Sequence, residues 1–262
     1  MNTHDLRRVA RAVRQLLPSW TRVRPWRSVH ERWKDVPVSG PGYAGAGWAD
    51  DALKATRSAA HALTVRPALE LNFGEHLYLP LIAALVAAER GRVRIVDIGG
   101  SLGLAFHYVK ALVAAEAIEY HIVETPETIE LASHHPDLTN GVAYHPSLPD
   151  LCPDVVHLGS VLQYIEHYAE FLGAIANRSP QYILFVNTPF VQAPAVAAAQ
   201  VNIKGSVIAY WFLNLDEIVA ILGHSGYDRV FVTPTDRAYD TRNLPPPYDR
   251  VSQLDVLFRR RA

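Results

Sequence analysis

The run VRIVDI, Val93 to Ile98, breaks into the loop GGSLG, Gly99 to Gly103, and then into an apolar helical stretch. A β-branched run without polar alternation forms a strand covered on both faces, and glycines after it let the backbone turn sharply. The pattern repeats downstream, which commits the chain to an α/β architecture built on a parallel sheet.

The first helix after the loop is expected from about Leu104 to Glu116. EYHIVE (Glu119 to Glu124) reads as a second strand. Thr125 and Pro126 stand where an N-cap and a first-turn proline belong, opening a helix through ETIELASH. VAYHPS is a weak third strand, DVVHLGS (Asp154 to Ser160) a fourth, and YILFVN (Tyr182 to Asn187) a fifth, with the helix IEHYAEFLGAIAN between the last two. Asn214 with Glu217 three residues on forms a capping box for a helix ending near Gly226. DRVFVTP and QLDVLFRR then meet with no helix between them. The expectation is a Rossmann-like, seven-stranded, mostly parallel sheet with an antiparallel carboxyl-terminal strand, helices on both faces and an amino-terminal helical extension.

Upstream, residues 1–40 read as a basic helical arm, 41–91 as a helical cap or lid, and 92–262 as the main domain. Residues 1–35 hold nine basic side chains against three acidic ones, and Leu6, Val9, Val13, Leu16 and Leu17 recur at helical spacing before Trp20, Trp26 and Trp33. Such a helix either rests peripherally on anionic lipid at the inner membrane face or packs on the main domain with a solvated basic face. LPLIAALVAA, Leu79 to Ala88, is about half the length of a membrane-spanning helix and reads as buried. No apolar block of signal-peptide length is evident, and the one cysteine, Cys152, has no internal disulfide partner, so a reducing cytoplasm is the expected compartment. A formal net charge of −1 gives no reason to expect nucleic acid as a partner, and no Cys/His spacing suggests a metal site.

What the glycine loop binds follows from its spacing and charge. The dinucleotide fingerprint needs glycines at relative positions 1, 3 and 6, and both registers fail, at Ser101 and Leu104 or at Leu102 and Ala105. No Lys-Ser or Lys-Thr follows, so a P-loop fails as well. Asp97 just before the turn would repel a pyrophosphate. It suits an adenosyl-sulfonium ligand, whose sulfur is cationic and whose methionine part carries an ammonium. Glu124, 21 residues past Gly103, is placed to accept both ribose hydroxyls.

VDIGGSLG, then IVETPETIELA, then DVVHLGSVLQYIEH resembles the class I S-adenosylmethionine-dependent methyltransferases from about Val93 to the carboxyl terminus, with likeness to their O-methyltransferase branches. With GYAGAGWADDA upstream and YWFLNLDEIVAILGHSGY downstream, the chain resembles more narrowly a group of methyltransferases encoded beside bacterial surface-polysaccharide genes. The resemblance implies S-adenosyl-L-methionine as cofactor. Asp97, Gly99, Gly100 and Gly103, with Ser101 in the same loop, match the motif that holds its methionine part, and Glu124 matches the ribose-binding acid. The position that usually contacts the adenine amine offers Ser147 and Leu148, a departure from the family's acidic or polar residue. Ser160 and Val161 match the segment lining the donor pocket.

On the acceptor side, His167 is the candidate base, set against a plain polar residue on the following helix. Gln163 and Tyr164 follow the fourth strand where related enzymes place acceptor contacts. Asn187 is a second acceptor-side candidate, and Tyr210 with Trp211 a candidate aromatic wall for a sugar ring or else core. His157, inside a strand, reads as a hydrogen-bonded core residue. His107 lies near the donor, His145 after the third strand, and His224 at an exposed helix end. Tyr43 and Trp48 are candidate lid residues. The leading functional expectation is methylation of a sugar hydroxyl in a surface glycan or its precursor. A small-molecule or natural-product O- or N-methyltransferase stays open, as does a methyltransferase-like module that only binds.

Overall fold

The computed structural model describes residues 25–44, 46–65, 76–235 and 240–262. The basic helix expected around Leu6 to Leu17, with Trp20, lies outside the described residues, and so does the membrane contact drawn from it. Among the described residues no helix is long and apolar enough to cross a membrane.

Seven strands form the expected sheet. They are β2 (Val93–Ile98), β3 (Ile118–Val123), β4 (Val142–His145), β5 (Val155–Gly159), β6 (Tyr182–Val191), β9 (Tyr227–Pro234) and β10 (Ser252–Arg260). Parallel pairing gives the order β4-β3-β2-β5-β6, with β10 antiparallel to β6 and β9 antiparallel to β10. The order reverses between β2 and β5, so the carboxyl ends of these strands open a crevice.

Alternate residues of each central strand go to opposite faces, and both faces are buried. Val93 and Ile95 pack with α2 (Tyr78–Arg90) and α3 (Leu104–Lys110), through Leu79, Val86, Phe106 and Val109. Val96 and Ile98 pack with α6 (Tyr168–Asn177) and α7 (Leu215–His224), through Leu172, Ile175, Ile218 and Leu222. That two-sided burial is why these strands read as unbroken apolar runs. The caps also hold. Thr125 accepts from Thr128 N–H at the start of α4 (Pro126–Ser133), and Asn214 accepts from Glu217 N–H at the start of α7. A short turn α5 (Pro136–Thr139) leads into β4.

Three strands exceed the expectation. The strand expected to stop at Asn187 continues to Val191, and its end pairs in parallel with β8 (Ile208–Asn214) through Phe190–Leu213 and Val191–Asn214. Onto β8 pair β7 (Val196–Gln200) and then β1 (Trp26–His30), both antiparallel. Residues 26–30, read as part of a helical arm, are therefore a strand, and Trp26 is buried against Tyr210 and Phe212 at 4.7 and 4.8 Å between ring centres. The helix expected to reach Glu116 ends at Lys110, because Ala111 and Leu112 bond three residues back and the tightened turn delivers Val113 to the core. Within residues 41–91, α1 (Ala46–Val65) packs against α3, and α2 packs on the sheet.

Candidate active site

Asp97 on β2, Tyr120 on β3 and His157 on β5 point to the same side of the sheet, because Asp97 and His157 are direct register partners. The three are joined. The Tyr120 hydroxyl donates to Asp97 Oδ2 at 2.7 Å, and His157 Nδ1 lies 2.7 Å from Oδ1. Asp97 is 1% exposed and His157 6%, so this is a buried carboxylate whose two oxygens are each hydrogen-bonded, as a buried charge requires.

The glycines beyond it have distinct roles. Gly99 has φ +68°, and a Cβ there would meet Val161 Cγ2 at 2.7 Å. A Cβ on Gly100 would stand 2.6 Å from Asp97 Oδ2 and 3.0 Å from Ile122 Cγ1, so the loop folds back over its own carboxylate. The loop is then tied to β3. Glu124 Oε1 accepts from Ser101 N–H at 3.0 Å, and Oε2 accepts from Thr125 N–H at 2.9 Å.

Above these groups lies a cavity of about 290 Å3. Asp97, Gly99, Gly100, Ser101, His157, Gly159, Ser160 and Asn187 line it from the strand ends. Trp48, Ala52, Ala55 and Thr56, one face of α1, line it from the opposite wall. Ser101, Ser160 and Asn187 have φ of +52°, +56° and +51°; Ser101 lies in the loop after β2, Ser160 directly after β5, and Asn187 within β6. Such left-handed backbone costs energy and gathers where a site is held in shape. At Asn187 it is secured by a hydrogen bond from the backbone N–H to the buried carboxylate of Asp255 at 2.8 Å.

No lysine or arginine is among the lining residues. Burial, with the Asp97 charge adding to it, raises the pKa of the Tyr120 and Tyr144 phenols and of the Glu124 carboxyl. With Asp97 at the cavity and no lysine or arginine lining it, the site suits a cation better than a phosphate. Among the described residues no cluster of three or more His, Cys, Asp or Glu side chains could hold a metal.

Of the expected cofactor residues, Asp97, Gly99, Gly100, Ser101 and Ser160 line the cavity, Val161 packs on Gly99, and Glu124 holds the loop from outside the lining. Gly103, φ +81°, begins α3 and faces Ile122 and Phe106. Ser147 is exposed and Leu148 packs against the α6/α7 core, so neither is among the lining residues.

The acceptor side needs more correction. His167 stands before α6 with its side chain 67% exposed, 3.9 Å from both Glu166 and Glu170, and away from the cavity lining. It fits its alternative, a polar residue of the helix entrance. Tyr210 is no sugar wall. It belongs to β8, is 1% exposed, and is packed between Trp26 and Tyr164. Trp211 stacks on Trp33 at 5.4 Å. Gln163 is buried, and Tyr164 donates to Gln200 Oε1 at 3.0 Å while its oxygen meets the Tyr43 hydroxyl at 2.5 Å. Asn187 does line the cavity, and so does Trp48 of the lid pair.

His107 is buried in α3, His145 bonds His121 at 2.9 Å, and exposed His224 bonds the Ala220 carbonyl. The residue that sequence reading undervalued is His157. Its strand position announced burial, and only the register of β2 on β5 shows that it partners Asp97.

No protein-family model matches the chain, and no curated protein sequence matches it. Solved structures are similar to it in fold. The Burkholderia thailandensis 1,6-didemethyltoxoflavin-N1-methyltransferase, with 1,6-didemethyltoxoflavin and S-adenosylhomocysteine bound, is 15% identical over 89% of this chain and 95% of that one, with a TM-score of 0.45. The N-terminal domain of EvdMO1 in the presence of SAH and D-fucose is 16% identical over 70% and 83%, with a TM-score of 0.48. Magnesium protoporphyrin IX methyltransferase (ChlM) from Synechocystis PCC 6803, with SAH bound, is 13% identical over 69% and 80%, with a TM-score of 0.46.

Proposed function

We propose that the chain is an S-adenosylmethionine-dependent methyltransferase. The observation that carries this reading is the cavity at the strand-order reversal. It has Asp97 in its floor, a glycine loop closed down on that carboxylate, and no lysine or arginine in its lining. A dinucleotide or nucleoside triphosphate would bring phosphates against Asp97, whereas a sulfonium with an ammonium-bearing side chain is complementary to it.

The donor supplies a methyl group on a cationic sulfur. The residues supply position. Gly99 and Gly100 let the loop close onto Val161 and Asp97, the Ser101 and Ser160 turns shape the cavity, and Glu124 fixes the loop through the Ser101 N–H. Displacement at carbon needs alignment above all, and the left-handed, hydrogen-bonded backbone at Ser101 and Asn187 would hold it. Asn187, on the far side of the cavity from the glycine loop in strand order, is the candidate contact for the acceptor.

The finer reading is O-methylation of a sugar hydroxyl in a surface glycan or its precursor, supported by the sequence resemblance to methyltransferases of polysaccharide gene clusters. The enzyme would then work in the cytoplasm, in keeping with its single cysteine. Calorimetry tests the donor. S-adenosylmethionine and S-adenosylhomocysteine should bind and NAD and ATP should not, and no heat from either sulfur nucleoside at millimolar concentration would end the enzyme reading. Mass spectrometry of sugar, phenol and amine acceptors tests the rest. Methyl transfer to nitrogen with no sugar product would replace the glycan reading by the small-molecule one.

A further inference from the structure

The Asp97–His157 pair fixes which way the histidine faces. A carboxylate accepts, and Oδ2 already accepts from Tyr120, so in an imidazole that carries one proton the 2.7 Å contact at Oδ1 places it on Nδ1. Nε2 is then a hydrogen-bond acceptor. Its edge of the ring lies beneath Gly159, where a Cβ would stand 2.8 Å from Cε1 and 3.2 Å from Nε2. Both His157 and Gly159 line the cavity, so the missing side chain opens this edge to it. Among the described residues no protein group hydrogen-bonds Nε2.

An acceptor with a carboxylate behind it, in a cavity lined by no lysine or arginine, is complementary to an N–H donor that carries positive charge. We infer that His157 Nε2 receives the ammonium of the methyl donor's amino-acid part, and that Asp97 acts in part through His157 by fixing its tautomer. This rests on the donor reading above. It adds a binding residue to the pocket, and it gives Gly159 a function, since any side chain there would cover the acceptor.

The test compares S-adenosylhomocysteine, which carries the ammonium, with 5′-methylthioadenosine, which lacks the amino-acid part, by calorimetry on wild type, His157→Phe, His157→Gln and Gly159→Ala. His157→Phe should weaken S-adenosylhomocysteine by at least about tenfold, the size of one hydrogen bond to a charged group, and leave methylthioadenosine unchanged. Gly159→Ala should do the same. His157→Gln, whose amide oxygen can still accept, should recover part of the loss.

Unchanged methylthioadenosine affinity in each variant is also the check that its pocket is folded. Equal losses for both ligands in the phenylalanine and glutamine variants alike, or no loss for either, would overturn the role of His157 with the donor reading intact. Failure of wild type to bind either nucleoside would instead overturn the donor reading and this inference with it.

Discussion

The phenol of Tyr120 on β3 donates to Asp97 Oδ2 on β2 at 2.7 Å, with both side chains buried. Burial, and then the carboxylate, push the phenol well above its ordinary pKa, so it stays a protonated donor across the working pH range. Tyr120→Phe keeps the ring against Phe106, 5.1 Å away, and removes only that donor. The expected loss is about 1–3 kcal/mol, the penalty for a buried polar group that loses a partner. It should show as a lower urea midpoint at unchanged slope. An unmoved midpoint would mean that this bond contributes no net stability.

Gly100→Ala forces a methyl group to within 2.6 Å of Asp97 Oδ2, which Tyr120 and His157 hold in place. Either the loop lifts or the carboxylate turns away. We expect a stability loss of about 1–3 kcal/mol, as for overpacking elsewhere, together with loss of nucleoside binding by calorimetry. Gly173 lies inside α6 with nothing within 4 Å of its Cβ position, so Gly173→Ala should stabilise by about 0.5–1 kcal/mol. The two substitutions add the same atom. If both had the same sign, space at Gly100 would not be what the loop requires.

How much was legible follows from where each signal is stored. The central strands are written in their own residues, as are the caps at Thr125 and Asn214, because unbroken β-branched runs and capping side chains are local. β7 is not. VAAAQ contains three alanines, a residue depleted in strands, and it becomes one because β1 and β8 pair both its edges while Ala198 packs on one face and Ala197 and Ala199 on the other, all at 0% exposure. Without β7 in view, Tyr210 and Trp211 read as a helix entrance. The site divides in the same way. Asp97, Gly99 and Gly100 share one loop and were readable together, whereas His157 is 60 residues from Asp97 and meets it only through strand register. Of the α1 wall, Trp48 was readable as a lid candidate from its place in GYAGAGWADDA, whereas Ala52, Ala55 and Thr56 reach the cavity through tertiary packing alone.

His107 gives the fold a pH dependence of known sign. Burial, with Lys110 adding to it, lowers its pKa from the ordinary 6.5, although a backbone hydrogen bond at Leu138 opposes the shift. As pH falls from 6.5 towards the lower folded value, the unfolded chain takes up this proton first, so stability should decline through that window and be constant above it. His145 is lowered too, by burial and by His121, and declines in parallel. The difference between wild type and His107→Leu isolates one histidine. Urea titrations between pH 7.5 and 5 should show a shallower decline for the variant, and parallel curves would remove His107 as a contributor.

The segment before α1 is fastened by a file of aromatic rings that begins in the cavity wall. Trp48 lines the cavity and meets Tyr43 edge-on at 5.9 Å, Tyr43 meets Tyr164 at 5.0 Å, Tyr164 meets Tyr210 at 5.1 Å, and Tyr210 meets Trp26 at 4.7 Å. Along the same line Tyr43 and Tyr164 share a 2.5 Å hydroxyl contact, and Tyr164 donates to Gln200, which is fully buried on β7. The turn before α1 is therefore anchored to the β1-β7-β8 layer. Tyr43→Phe keeps every ring contact and deletes one hydroxyl. α1 forms one wall of the cavity, so loss of the bond that anchors its start should raise the dissociation rate of bound S-adenosylhomocysteine by roughly fivefold, equivalent to about 1 kcal/mol. Tyr164→Phe removes the same hydroxyl contact and the bond to Gln200 as well, so it should be at least as fast. Stopped-flow displacement measures both. If Tyr43→Phe released ligand at the wild-type rate while Tyr164→Phe did not, the anchor would lie between Tyr164 and Gln200, and Tyr43 would serve only as packing.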